Sequence, residues 1–114
     1  MQSTADLNLA AEQMAAMYTH VALLTSDALG GGNVAAGGAA QAVTYGAGGV
    51  AGPTTDHAAV DGIAWSGVVT FTLTVPATHV GLMRSGVVHH TEALEYPVGP
   101  GVVPFVHGIG PSAA

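Results

Sequence analysis

The chain has 114 residues, a common size for a single domain, and Arg84 is its only Lys or Arg, against seven carboxylates. One fixed cation cannot neutralise a row of phosphates, so we expect no nucleic-acid partner, and the lack of cysteine excludes disulfides and Cys-based zinc sites. Charged residues make up only 7% of the chain, against roughly 25% in an average domain, which predicts that much of the surface contacts other protein.

The N-terminal segment predicts one short helix over residues 4–16. Ser3 can cap it, and Asp6 lies in its first turn, near the positive end of the helix dipole. Apolar side chains follow at helical spacing: Leu7, Ala11, Met14 and Tyr18. Such a stripe is typical of a helix that packs on a sheet. The segment lacks a basic n-region and an apolar h-region, so we expect no signal peptide. We therefore expect synthesis in a cytoplasm. We also expect no membrane span in the chain.

Short strands separated by Gly-rich turns are predicted for the rest of the chain. They lie at 19–25, 41–45, 63–65, 68–75, 78–84 and 87–96. The segment 68–75 alternates large apolar residues with threonines, as expected for a sheet buried on one side, and Pro76 ends it. This pattern predicts a mainly β fold, a compact antiparallel β-sandwich or small barrel with one short N-terminal helix.

The C-terminal segment 97–114 is rich in proline and glycine, so it cannot join a central sheet over any length. We therefore predict a single β domain over residues 1–96 and an extended C-terminal arm over 97–114. We expect this arm to lie over a neighbouring protein. Its deletion would then reduce incorporation into an assembly and leave the β-fold intact.

One octapeptide occurs twice. Residues 19–26, Thr-His-Val-Ala-Leu-Leu-Thr-Ser, return 59 positions later as residues 78–85, with five identities. We interpret the repeat as one β-unit used twice, and its strand periodicity places one set of side chains on the core face: Val21, Leu23, Val80 and Leu82. The second face carries Leu24 and Met83, so we expect the N-terminal helix or a neighbouring subunit to cover it.

The histidines are the residues that first suggest a metal or a catalytic site. His20 and His79 occupy equivalent positions of the repeat and could approach each other if the two strands paired, but no third ligand stands at a matching offset. The adjacent His89 and His90 would face opposite ways on a strand unless the backbone bulges. His57 lies near two aspartates, a grouping that indicates at most a weak divalent-ion site.

Enzyme motifs are not supported. The segment 46–51 matches the dinucleotide fingerprint G-x-G-x-x-A, but Gly52-Pro53 follows where a helix should begin. Without lysine there is no P-loop, and no serine stands in a G-x-S-x-G turn. We therefore predict a non-enzymatic protein with no cofactor and no metal.

Arg84 is expected to pair with Asp27, Glu92 or Glu95, or with a carboxylate of another copy of the chain. It belongs to a set of candidate interface residues on the repeat and on the C-terminal segment. The full set is Leu24, Met83, Arg84, Val102, Val103, Phe105 and Val106.

Several short motifs, taken in order, resemble the small tail-fibre-type or minor-tail structural proteins of tailed bacteriophages. They are Thr-His-Val-Ala-Leu at 19–23, Gln-Ala-Val-Thr-Tyr-Gly-Ala at 41–47, Val-Thr-Phe at 69–71 and Val-Pro-Ala-Thr-His-Val-Gly-Leu at 75–82. The resemblance covers residues 5–86 and implies a virion component with a compact β-fold, present in several copies, that assembles with itself and with other virion proteins. A capsid decoration protein is the alternative placement, and a glycan- or receptor-binding module is the alternative of another class.

Overall fold

The described chain, residues 2–113 of a computed structural model, folds into one helix and eight short strands. The helix α1 spans Thr4–Ala15, and the hydroxyl of Ser3 caps it by accepting a hydrogen bond from the main-chain N of Asp6 at 3.2 Å. The strands are β1 His20–Leu24, β2 Gln41–Ala42, β3 Ala64–Trp65, β4 Val69–Leu73, β5 Ala77–Arg84, β6 Val87–Val98, β7 Gly101–Phe105 and β8 Gly108–Ile109. All the strand pairs are antiparallel, which confirms the predicted mainly β class with one short helix.

The elements are grouped into two compact units, each assembled from segments that are distant in sequence. Unit 1 comprises residues 2–17, 43–68 and 106–113 of the described chain and contains α1, β3 and β8. Unit 2 comprises residues 18–42 and 69–105 and contains the other six strands. The boundary predicted after residue 96 therefore falls inside unit 2, within β6.

Unit 2 is built on one long β-hairpin. β5 pairs with β6 and β4 pairs with β7, so residues 69–84 run antiparallel to residues 87–105. Ser85 and Gly86 make the turn, and both have positive φ angles, 52° and 76°, as a type I′ turn requires.

The C-terminal segment is not the extended arm that its composition predicted. Residues 101–105 form β7 and pair with the whole length of β4, and residues 108–109 pair with β3 in unit 1. Pro104 is tolerated because β4 is the only strand neighbour of β7 in the part of the chain described, and proline is accepted on an edge strand. Deleting residues 97–114 would thus leave β4 unpaired instead of leaving the fold intact.

The two copies of the octapeptide pair directly with each other. β1 and β5 are central in a four-stranded sheet of order β2-β1-β5-β6, and their register places Ala22 opposite Gly81. These two residues are equivalent in the repeat, so the two copies are related by a local two-fold axis through that pair. The predicted core-face residues pair across the strands and all are buried: Val21 with Leu82 and Leu23 with Val80.

The second face of the repeat is covered from within unit 2. Leu24 is fully buried and Met83 is 7% exposed, and they form a cluster with Ala22 and Val88 against which Val34 packs. Val34 belongs to the Gly-rich loop after β1, and Val88 belongs to β6. The cover that was expected from the N-terminal helix or a neighbouring subunit comes instead from the chain's own loop and adjacent strand.

In unit 1, α1 packs mainly through small side chains. Of the predicted stripe, Ala11 is buried and Leu7 is half-buried, whereas Met14 is 38% exposed; Ala15, outside the stripe, is also buried. A Cβ at Gly110 would stand 2.8 Å from the Cβ of Ala11, so the main chain itself comes against the helix there. This close approach leaves no room for a large residue on that face of α1.

Two glycines in the loop after β1 allow a test of main-chain packing, because only one of them lies against another part of the main chain. Gly37 and Gly30 have φ angles of +87° and +97°, so alanine at either position should cost about 1 kcal/mol of backbone strain. A Cβ at Gly37 would also collide with the main-chain carbonyl of Thr72, whereas Gly30 has open space. Gly37→Ala should therefore lower the free energy of unfolding by at least about 2 kcal/mol more than Gly30→Ala, measured by urea denaturation. Equal midpoints for the two variants would contradict this packing.

Candidate interaction surface

One end of the long hairpin has no charged side chain. This uncharged end comprises residues 69–76 and 96–105. Val69, Phe71 and Leu73 are buried along β4, and the intervening Thr70 and Thr72 are exposed, which confirms the predicted alternation of that strand.

The exposed side of the uncharged end is formed by both of its strands. The register places Thr72 opposite Val102 and Thr70 opposite Pro104, and all four side chains are exposed. Val102 is 70% exposed, whereas its neighbours Val103 and Phe105 on the same strand are half-buried. We call Thr70, Thr72, Val102 and Pro104 the outer face.

A large bulge in β6 adds an aromatic residue to this end. Ala77 pairs with Val98 but His79 pairs with Ala93, so one residue of β5 is opposite four residues of β6. The extra residues leave Tyr96 70% exposed, beside the exposed Pro97. Bulges commonly redirect a side chain at an edge, and the Tyr-Pro pair near the end of the predicted strand was the only sequence signal for this one.

The edges of the β4–β7 sheet do not favour the addition of another strand. On the β4 side, the carbonyl of Thr70 accepts a hydrogen bond from the Gln41 side chain at 2.6 Å, and the N–H of Thr74 donates to Ala36 at 3.0 Å. On the β7 side, Pro100 and Pro104 have no N–H to donate. A partner would therefore contact the side chains of the outer face and not extend the sheet.

The predicted interface residues are dispersed. Leu24 and Met83 lie in the core of unit 2, so they are not available as a contact surface in the folded chain. Val103 and Phe105 are half-buried in unit 2, and Val106 is half-buried in unit 1. Of this set, Val102 is the side chain that the structure leaves largely exposed.

Arg84 makes an aromatic contact. Its guanidinium carbon lies 5.9 Å from the ring centroid of Tyr18, within the range of a cation–π interaction. Within residues 2–113 it forms no salt bridge, so the expected pairing with Asp27, Glu92 or Glu95 is wrong, and pairing with another copy stays a prediction. Glu92 lies instead 3.1 Å from His90 Nε2.

The repeated histidines have the same local contact but do not meet. His20 Nδ1 and His79 Nδ1 each lie 2.8 Å from the hydroxyl of the preceding threonine. The antiparallel register places His20 opposite Met83 and His79 opposite Leu24, at opposite ends of the strand pair. The possible approach of the two imidazoles is therefore excluded by the direction of pairing.

The remaining histidines lie in separate places. The register of β5 and β6 shifts between Leu82 and Met83, and this bulge leaves both His89 and His90 exposed. His57 packs edge-to-face on Trp65, with ring centroids 4.9 Å apart. Over residues 2–113, no three side chains of His, Cys, Asp or Glu are placed to hold a metal ion together.

Unit 1 contains a buried polar cluster. His107 Nδ1 lies 2.8 Å from the hydroxyl of Tyr45, and the main-chain N–H of His107 donates to Ser66 Oγ at 2.9 Å. The Ser66 hydroxyl in turn donates to the carbonyl of Gly67 at 2.8 Å. Because the contacts of Ser66 Oγ are with main-chain groups and not with the imidazole, the cluster does not form a Ser–His nucleophile.

The only tryptophan is also enclosed by its neighbours. Trp65 Nε1 donates to the carbonyl of Ala58 at 2.9 Å, and its ring lies against Gly108 and Gly52, where a Cβ would come within about 3 Å of ring or Cβ atoms. With His57 at the ring edge, the indole is only partly accessible. It therefore does not form an open aromatic platform for a sugar ring.

No protein family, curated protein or solved structure matches this chain. The helix in residues 2–113 is too short for a membrane crossing.

The polar cluster predicts a structural role for Ser66, whose side chain is almost fully buried. Ser66→Ala removes the acceptor of a buried main-chain N–H, so it should lower the free energy of unfolding by about 1–3 kcal/mol. Thr55→Ala, at an exposed position, is the control and should stay within about 0.5 kcal/mol of the wild type. Thermal or urea denaturation of both variants measures the difference, and equal stabilities would contradict a structural role for the cluster.

Proposed function

We propose that this protein is a non-enzymatic structural component of the virion of a tailed bacteriophage. In this proposal it is tail-associated, of the minor-tail or tail-fibre type, and it assembles with copies of itself and with neighbouring virion proteins. The contact surface is the uncharged end of the hairpin, with its outer face and Tyr96.

The observation that carries the proposal is the exposure of apolar side chains at this end. Tyr96 and Val102 are each 70% exposed, within a stretch of 18 residues, 69–76 and 96–105, that contains no charged side chain. An assembly can cover exposed apolar side chains at no cost of charge burial here, and tyrosine is enriched where proteins meet. These properties support burial of the uncharged end against another protein.

The distribution of charge supports self-assembly. The chain has a formal net charge of −6, so two copies repel each other in most orientations. All seven carboxylates lie outside the uncharged end. Two copies can therefore bring these ends together without burying a charge or placing carboxylates face to face.

Other observations weigh against the competing classes. The hydrogen bonds of Ser66 and the separation of His20 from His79 give no support to an enzyme. The enclosed ring of Trp65 gives no support to a glycan-binding module, which needs an aromatic platform. Within the virion class, placement on the tail rests on the resemblance, and a capsid decoration protein is the alternative.

Copy number per particle distinguishes the placements. Quantitative mass spectrometry of purified particles should find a handful of copies if the protein lies at the tail tip. Hundreds of copies would indicate the tail tube or the capsid, and separating tails from heads before measurement distinguishes these two. Absence from purified particles would overturn the proposal.

A charge placed on the outer face tests the contact surface. Val102→Glu introduces a carboxylate that would be desolvated on assembly, at a cost of several kcal/mol, so its incorporation into particles should fall at least about tenfold. Val87→Glu is the matched control, because Val87 is 41% exposed on the same hairpin but next to the turn at its other end. Both folded variants are produced in a phage that encodes the chain, and their abundance per particle is compared with that of the wild type. Equal incorporation of the two variants would contradict the assignment of the surface.

A further inference from the structure

Asp61-Gly62 is the only Asp-Gly sequence in the chain, and such a pair is prone to isomerisation. The main-chain nitrogen of the glycine attacks Cγ of the aspartate, a C–N bond forms, and water leaves to give a five-membered succinimide. Water then adds to either carbonyl of the ring, which yields aspartate or isoaspartate. The glycine makes the attack easy because it has no side chain to hinder the approach.

The fold requires glycine at this position. Gly62 has a φ angle of +85°, which other residues rarely adopt, and a Cβ there would collide with the hydroxyl of Ser112. Gly62 is also buried, while Asp61 is exposed to solvent. The chain thus retains a reactive pair at a place where the glycine cannot be exchanged.

The side chain of Asn8 holds both reacting groups. Asn8 Oδ1 accepts a hydrogen bond from the main-chain N–H of Gly62 at 2.7 Å, and Asn8 Nδ2 donates to Asp61 Oδ1 at 3.3 Å. Attack on Cγ requires this N–H to lose its proton and the carboxyl group to turn towards the nitrogen. One amide opposes both movements.

Asn8 is itself held in place by the packing of unit 1. It lies on α1, and the main chain at Gly48 and Gly49 comes so close to Asn8 that a Cβ at either glycine would overlap it. The neighbouring Glu12 accepts a hydrogen bond from the N–H of Gly48 at 2.8 Å. The amide that contacts residues 61 and 62 is therefore fixed on a helix and not on a mobile loop.

We propose that Asp61-Gly62 is a site of isoaspartate formation and that Asn8 is a positioning residue that suppresses the reaction in the folded protein. This inference does not depend on the proposed virion role. It assigns to the Asn8 amide, which joins α1 to the loop at residues 61 and 62, the function of slowing this reaction.

The experiment follows isoaspartate at residue 61 in the purified full-length chain during prolonged incubation at neutral pH. Proteolysis and mass spectrometry locate the modified peptide. In folded wild type the reaction should be at least about tenfold slower than in the same chain unfolded in urea, because attack requires a local opening. Folded Asn8→Ala should react at least about fivefold faster than folded wild type, since a lost hydrogen bond of about 1 kcal/mol corresponds to that factor.

Two control variants separate the amide contact from general destabilisation. Glu12→Ala removes another contact of α1 with the same loop region but does not touch residues 61 and 62, so its rate should equal that of wild type. Asp61→Glu cannot form the five-membered ring and should give only background signal.

Asn8→Asp provides a second test if Asn8→Ala does not fold. Aspartate keeps an acceptor for the N–H of Gly62 but cannot donate to the Asp61 carboxylate, so isomerisation should be faster than in wild type. The proposal is overturned if folded wild type reacts as fast as the unfolded chain. It is equally overturned if the folded Asn8 variant reacts at the wild-type rate, or if Glu12→Ala accelerates the reaction as much as the Asn8 variant does.

Discussion

The antiparallel pairing of β1 with β5 is the constraint on which the rest of unit 2 depends. At its centre Ala22 is opposite Gly81, and a Cβ at Gly81 would stand only 3.0 Å from Leu24 Cδ1 and 3.1 Å from Val88 Cγ1. The replacement of alanine by glycine in the second copy therefore gives the larger side chains their space. With apolar residues on both faces, the pair is stable only when both faces are covered, and the loop carrying Val34 covers one of them.

The same pairing explains why the hairpin has an uncovered end. β5 pairs with β1 on one side and β6 on the other, whereas β4, on the same arm of the hairpin, has β7 as its single strand partner. The hairpin thus continues past the four-stranded sheet as a two-stranded ribbon with an exposed outer face. Prolines in and beside β7 protect its edge from unspecific strand pairing, so side chains such as Val102 remain the means of contact.

The sequence predicted the local features of this fold because they depend on periodicity. The helix, the alternation along 68–75 and the core face of the repeat all follow from residue spacing. Periodicity does not specify which strand pairs with which, so it could not place His20 and His79 at opposite ends. Composition also misled at 97–114, where proline and glycine suggested an arm. Pro104 fits an edge strand. The path of Val34 has no local signal, and the bulge at Tyr96 has only the Tyr-Pro pair.

Glycine and alanine give this chain its particular energetics. Buried contacts such as Ala11 against Gly110 bring main chain against main chain, so close packing requires few large side chains. The core accommodates the larger residues that line it, including Phe71 and Leu82, and both are fully buried. Val102 and Tyr96, each 70% exposed, are the most exposed large apolar side chains of the described residues, and both lie at the uncharged end of the hairpin, where another protein could cover them.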